Sequence, residues 1–154
     1  MSTPHRIYEE GPDHTLLLTA TSACLLTLVP VAAHQLGLLR HLPDPPGTLF
    51  ASDEITESRS AHPFGVPDSF AGLASYATTL TLGLMAPSQP KARKVLALKL
   101  VGDGAVATFN VVRQVVRFGK ICSWCIGTAI CTGVMVIAGR KLISSEITDI
   151  CRRL

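Results

Sequence analysis

Charge is scarce in this chain of 154 residues, with Asp, Glu, Lys and Arg making up only 16% of it, and aromatic side chains are scarcer still at 5%. Soluble domains carry charge on about a quarter of their residues, so the first shortage argues against a water-exposed fold. The second means that the 47% of hydrophobic residues comes from Leu, Val, Ala and Ile in runs, which is the composition of lipid-facing helix rather than of an aromatic-rich core. Strong charge of either sign is also missing. The net charge is +3, and the basic residues lie scattered at places that read as helix ends, with no basic stripe and no aromatic interleaving. Nucleic-acid binding is excluded on that ground. No internal repeat is present.

What the sequence does contain is apolar runs long enough to cross a bilayer, which takes about 20 residues of helix. Four spans are expected, at Thr15 to Leu39, Ser69 to Met85, Val95 to Val116 and Ile121 to Ala138, giving an all-α four-helix transmembrane bundle over residues 15–140. The second is rich in Gly, Ala, Ser and Thr, residues that suit close helix packing. Between the first two lies the one long connection, Arg40 to Asp68, which carries Pro43, Pro45, Pro46, Pro63 and Pro67 with the acids Asp44, Asp53, Glu54 and Glu57. It reads as a solvated loop or cap. Lys91, Arg93 and Lys94 in the second connection, and Arg140, Lys141, Arg152 and Arg153 near the end, place both on the cytoplasmic side. The segment 1–14 and the tail 141–154 are then cytoplasmic, and the acidic loop and the turn before Cys122 face the other side. Arg117 and Lys120, and the acids Glu9, Glu10 and Asp13 against Arg6, run against that charge rule. Val31-Ala32-Ala33 resembles a signal-peptide cleavage site, but acids precede the apolar run and it continues through Leu36 to Leu39.

The chemistry concentrates at Cys122-Ser123-Trp124-Cys125. Residues three apart share a helix face, close enough for two thiols to join as a disulfide after modest adjustment. Placed in the first turn of the last span, Cys122 is expected to meet unpaired backbone N–H groups, the positive end of the helix dipole and the cations Arg117 and Lys120, all of which favour a thiolate. A depressed thiol value suits exchange chemistry. Two other readings stand beside it: a zinc half-site, for which His41 and His62 are the outward candidates, and a pair of inert buried cysteines. Cys24 and Cys131 fall mid-span and read as small apolar fillers, and Cys151 as a free thiol in the tail.

These residues, together with Phe64-Gly65-Val66-Pro67-Asp68-Ser69-Phe70-Ala71-Gly72, Tyr76 and Ile121 to Ile126, resemble the vitamin K epoxide reductase family over about half the chain. The resemblance implies a four-helix bundle that binds a quinone, menaquinone or ubiquinone, beside the cysteine pair, and that passes electrons to it from a thioredoxin-fold partner. It implies that Cys125 faces the quinone and Cys122 exchanges with the partner thiol. Asp68, Ser69, Gly72, Tyr76, Trp124 and Ala129 are the quinone-pocket residues it points to, with Thr128 beside them. Two departures accompany it. The loop from Arg40 to Asp68 holds no cysteine, whereas family members usually carry a relaying pair there. Asp68 stands at the position of an asparagine, and an ionised carboxylate cannot donate a hydrogen bond. Its other role would be an N-cap.

Ionisable residues inside spans are costly and face a bundle interior, pair, or snorkel. Lys99 and Arg113 lie about one turn from span ends and are expected to snorkel, while Asp103 can pair with Lys99 four residues away. His34 reads as an interface residue. The expected function is a membrane thiol–disulfide oxidoreductase that reduces quinone and supports disulfide formation outside the cytoplasm, with no metal required. A non-catalytic membrane scaffold is the alternative, and a transporter built on Asp103 and Asn110 lacks the paired broken helices it would need.

Overall fold

Pro12 costs nothing where a helix begins, because the N–H it lacks would be unpaired there. It opens α1 (Pro12–Gln35) in a computed structural model that describes residues 12–153. The acids Glu9 and Glu10, and Arg6, lie outside the described residues. The helix stops at Gln35 rather than at Leu39, because Gly37 adopts φ 74° and the Leu38 N–H turns back to the Ala33 carbonyl at 2.9 Å.

Five further helices follow: α2 (Ser52–Glu57), α3 (Asp68–Met85), α4 (Pro90–Phe118), α5 (Ser123–Ala138) and α6 (Arg140–Arg153). Pro90 starts α4 five residues before the expected span, and Gly119 at φ 63° ends it. The C-terminal tail is itself helical, bent by 58° from α5. No strand forms among the described residues, only an isolated bridge between Phe50 and Ile121.

The four longest apolar elements close into a ring: α1 lies between α3 and α5, and α4 packs on the same two from the other side. Small residues set the spacing, as expected from the composition of α3. A Cβ on Gly72 would sit 2.9 Å from Leu28 Cδ1, and one on Gly83 2.8 Å from Leu18 Cδ2. Leu17, Leu96, Leu100 and Met135 form a fully buried core at the end of the ring away from Cys122, closed over by Leu142 of α6. Arg93 pairs there with Glu146 at 2.9 Å and Lys94 with Asp149 at 3.1 Å.

The outside of the ring is apolar. Leu26, Val106, Phe109, Val116, Ile130 and Ile137 are all exposed, a pattern that water would penalise and lipid would not. Two helices are long and apolar enough to cross a membrane, α1 over Asp13–Gln35 and α4 over Pro90–Phe118, and the bent α5–α6 pair would make a third. Of the four expected spans, two or three among the described residues meet this criterion of length and composition. The 18-residue α3, rich in Ser, Thr and Gly, is not among them.

Candidate functional site

Cys122 lies one residue outside α5 and caps it, instead of standing in the first turn. Its backbone is extended at φ −89° and ψ 121°, and its sulfur accepts the Cys125 N–H at 3.2 Å. The Gln114 side chain accepts the Cys122 N–H at 2.9 Å, so α4 fixes the backbone of the first cysteine while α5 fixes the second. Both cysteines are free thiols in this state. The Cys122 thiol is held below its ordinary value, chiefly by a hydrogen bond from the Cys125 thiol; burial opposes this, and the Ser52 hydroxyl and the Cys125 and Trp124 N–H groups add to it. The expected cations are not among its chief causes. Lys120 is instead paired with Glu54 at 2.8 Å.

The segment after α1 folds over this cysteine as a cap. Leu49 and Ala51 exchange backbone hydrogen bonds with Ile121 at 3.0 and 3.1 Å. Asp44 accepts from the Ser52 hydroxyl and from the Ser123 hydroxyl, each at 2.6 Å, and the Ser123 N–H donates to Ser52 Oγ at 3.0 Å. Burial pushes the Asp44 carboxyl upward, but the Ser123 and Ser52 donors outweigh it and leave it below the usual carboxylate range. Trp124 donates its indole N–H to the Pro43 carbonyl at 3.2 Å. Cys122 is consequently 0% exposed.

Cys125 also lines a cavity of about 410 Å³ bounded by α1, α3, α4 and α5 and, through Ile55, Thr56 and Ala61, by the segment that joins α1 to α3. Asp68, Ser69, Gly72, Tyr76 and Ala129 line it, with Thr128. Trp124 does not, because its ring is engaged by the cap. Val31, Val106 and Ala107 give the wall an apolar stretch, and Asp103, Asn110, Arg113 and Gln114 bring polar groups to it. Asp68 is not the N-cap of α3, a place taken by Pro67. Its carboxylate accepts from Gln35 Nε2 at 3.2 Å and faces Arg113 Nη2 at 3.9 Å. Gln35 also accepts the Ser69 hydroxyl. The Tyr76 hydroxyl is bonded to Thr132 at 2.6 Å.

Gln35 and Gln114 were invisible to sequence reasoning, because a glutamine near a span end has no spacing signature. Arg113 does not simply snorkel; it donates to the Ser60 carbonyl at 3.1 Å. Lys99 and Asp103 do pair, at 2.7 Å, within a set that includes Ser75 and Thr79. His34, in the last turn of α1, is buried beneath α2. His41 is bonded to Asp53 and His62 to the Ser58 carbonyl, and no group of three His, Cys, Asp or Glu among the described residues is arranged to hold a metal ion. Cys24 is buried against Thr132 at 3.6 Å, Cys131 is half-buried, and Cys151 is exposed.

No match was found among curated proteins or among solved structures. A family model does match, the Vitamin K epoxide reductase family, over residues 15–139. That stretch runs from the first turn of α1 to the end of α5 and contains the cap, the cavity and both cysteines of the pair. With most of its length matched, this membrane protein belongs to the vitamin K epoxide reductase family.

Proposed function

We propose that the chain is a quinone-dependent thiol–disulfide oxidoreductase in which Cys125 serves the cavity and Cys122 serves a protein partner of thioredoxin fold. The observation that carries this reading is the division between the two thiols: one lines a cavity, and the other, beside it, is fully buried under a polar cap. The cavity's volume falls within the range of small-molecule sites, and its lining combines apolar side chains such as Leu28, Val31 and Ile55 with polar ones such as Asn110, Arg113 and Gln114. That fits a quinone ring with an apolar tail. Arg113 and Asn110 offer donors to a ring oxygen, where the Asp68 carboxylate, already engaged by Gln35, offers an acceptor.

The proposed cycle balances in two exchanges. The Cys122 and Cys125 thiols give two electrons and two protons to the quinone, which leaves as quinol, and the sulfurs join. A partner dithiol then attacks at Cys122 and is itself oxidised, restoring both thiols. Attack at Cys122 releases Cys125 and leaves a mixed disulfide between Cys122 and the partner; the lowered thiol value at Cys122 makes it the better leaving group when the partner's second thiol resolves that disulfide. In this proposal α3 is the fourth span, admitted to the bilayer because Ser69, Ser75, Tyr76 and Thr79 bond to neighbouring helices while the exposed Thr78 and Thr81 bond to carbonyls of their own helix. Residues 15–140 form the catalytic domain in the plasma membrane, both ends are cytoplasmic, and the pair supports disulfide formation outside.

Purified protein in lipid nanodiscs, given a short-chain quinone and dithiothreitol, should form quinol, and a Cys122→Ser, Cys125→Ser double variant should not. A Cys125→Ala variant should trap a mixed disulfide between Cys122 and the partner. A second reading, a membrane scaffold that keeps the fold without turnover, is favoured by the complete burial of Cys122 and by the absence of a loop cysteine to reach it. Equal quinol formation by the wild type and the double variant would select the scaffold.

A further inference from the structure

Gln114 lies one turn before the end of α4 and is 4% exposed. Its Oε1 accepts the Cys122 N–H at 2.9 Å, and because a backbone N–H can only donate, that bond fixes which way the amide points. The side chain also hydrogen-bonds the Cys125 thiol. Cys125 directs its own proton to the Cys122 sulfur, so toward Gln114 its sulfur is the acceptor and an amide N–H the donor. One side chain of α4 thus holds both cysteines, each by a different end, beside the cavity that Gln114 and Cys125 both line.

The start of α5 explains why this group comes from another helix. Cys122 is the N-cap, and its sulfur accepts the N–H of the third helical residue, Cys125. In a helix start closed by its own residues, a Glu or Gln at that third position returns a bond to the N-cap N–H. Here the position holds the second cysteine, and Gln114 supplies the acceptor instead. A carboxylate would satisfy the N–H equally. An amide brings a donor as well, and the donor is the part directed at sulfur.

We infer that Gln114 is a catalytic residue whose Nε2–H stabilises the Cys125 thiolate as it leaves the disulfide. In the second exchange of the cycle, a partner thiolate forms a bond to Cys122 Sγ, the Cys122–Cys125 bond breaks, and its electron pair stays on Cys125 Sγ. The partner is oxidised to a mixed disulfide and Cys125 is reduced; the proton that the partner thiol gave up to solvent returns to Cys125 afterwards. Until it does, a negative sulfur stands beside a buried amide. A donor already aimed at that sulfur needs no rearrangement, and water screens it little. A disulfide sulfur carries no charge, so the bond strengthens as the thiolate forms, which lowers the barrier instead of tightening the starting state. Exchange is faster when the leaving thiolate is more stable.

This inference rests on the reading that Cys122 is the exchanging thiol, but its test needs no quinone. The protein in nanodiscs is oxidised with diamide, reacted with glutathione, quenched with N-ethylmaleimide and mapped by mass spectrometry, alongside Gln114→Met. Methionine is of similar length and its thioether still accepts weakly, but it has no donor. Glutathione should appear on Cys122 and maleimide on Cys125, and this product should form about tenfold more slowly in Gln114→Met. Alkylation of Cys122 by iodoacetamide in the reduced protein, where no thiolate leaves from Cys125, should not slow. Gln114→Leu, also without a donor, gives the same comparison if Gln114→Met does not fold. An unchanged exchange rate, glutathione on Cys125, or exchange and alkylation slowed by the same factor would overturn the inference, the last because it would leave Gln114 a purely structural role. Absence of any adduct on the wild type would overturn the reading of Cys122 as the exchanging thiol, and the inference with it. Slower exchange in the variant, with no quinol formed by the wild type, would reject only the quinone reading.

Discussion

Cys122 and Cys125 are chemically equal in the sequence, and their surroundings make them unequal. The sulfur of Cys122 receives a backbone N–H and a thiol hydrogen bond, which favour its thiolate. The reactive fraction of Cys122 should therefore appear at a lower pH than the roughly 8.5 of a free cysteine. Replacing Cys125 by Ala removes the largest lowering contribution, so the midpoint for iodoacetamide alkylation of Cys122 should move upward; an unchanged midpoint would show that Cys125 is not the source. As a depressed group, Cys122 adds stability above its unfolded value, and this is lost as pH falls through its folded value. Gln114 supports the same cysteine through its backbone. Gln114→Ala leaves a buried N–H without a partner and should cost about 1 to 3 kcal/mol in a denaturation measurement. The sequence showed the two cysteines and their spacing. It did not show Gln114 or Gln35, because a single amide side chain becomes part of a site only when another helix meets it.

At the level of elements, α3 and α4 are joined by a polar cluster around Asp103, besides the approach of Arg113 to Asp68. Asp103 accepts from Lys99, Ser75 and Thr79, at 2.7, 3.0 and 2.7 Å. Removing one charge strands the other, so Asp103→Leu should destabilise by about 3 kcal/mol or more, while the Asp103→Leu, Lys99→Leu double variant should recover much of the loss. Thermal midpoints in detergent would read both. The i, i+4 spacing made this pair legible in advance, because it is local to one helix. The cap was legible only as a long, acidic, proline-rich connection. Its docking depends on Asp44 meeting Ser52 and Ser123, residues far apart in sequence whose types are common in any loop. Asp44→Asn should loosen that docking and speed the alkylation of Cys122, an outcome that mass-resolved labelling can follow.

The molecule as a whole is an apolar ring capped at one end by polar loop and at the other by the charged helix α6. Cys151 is exposed on α6, at the end opposite Cys122. If α6 is cytoplasmic, a membrane-impermeant maleimide should label Cys151 only after cells are permeabilised; labelling in intact cells would invert the proposed orientation. Apolar composition and run length by themselves determined that this protein belongs in a membrane and is helical, since a bilayer leaves a helix few alternatives. The cysteine spacing determined where redox chemistry could reside. Only the tertiary structure decided that Cys122 is capped and Cys125 faces a cavity, that Trp124 belongs to the cap, and that His34 is buried between two carboxylates. Each of these depends on which side chains of distant segments meet, and neither periodicity nor composition records such meetings.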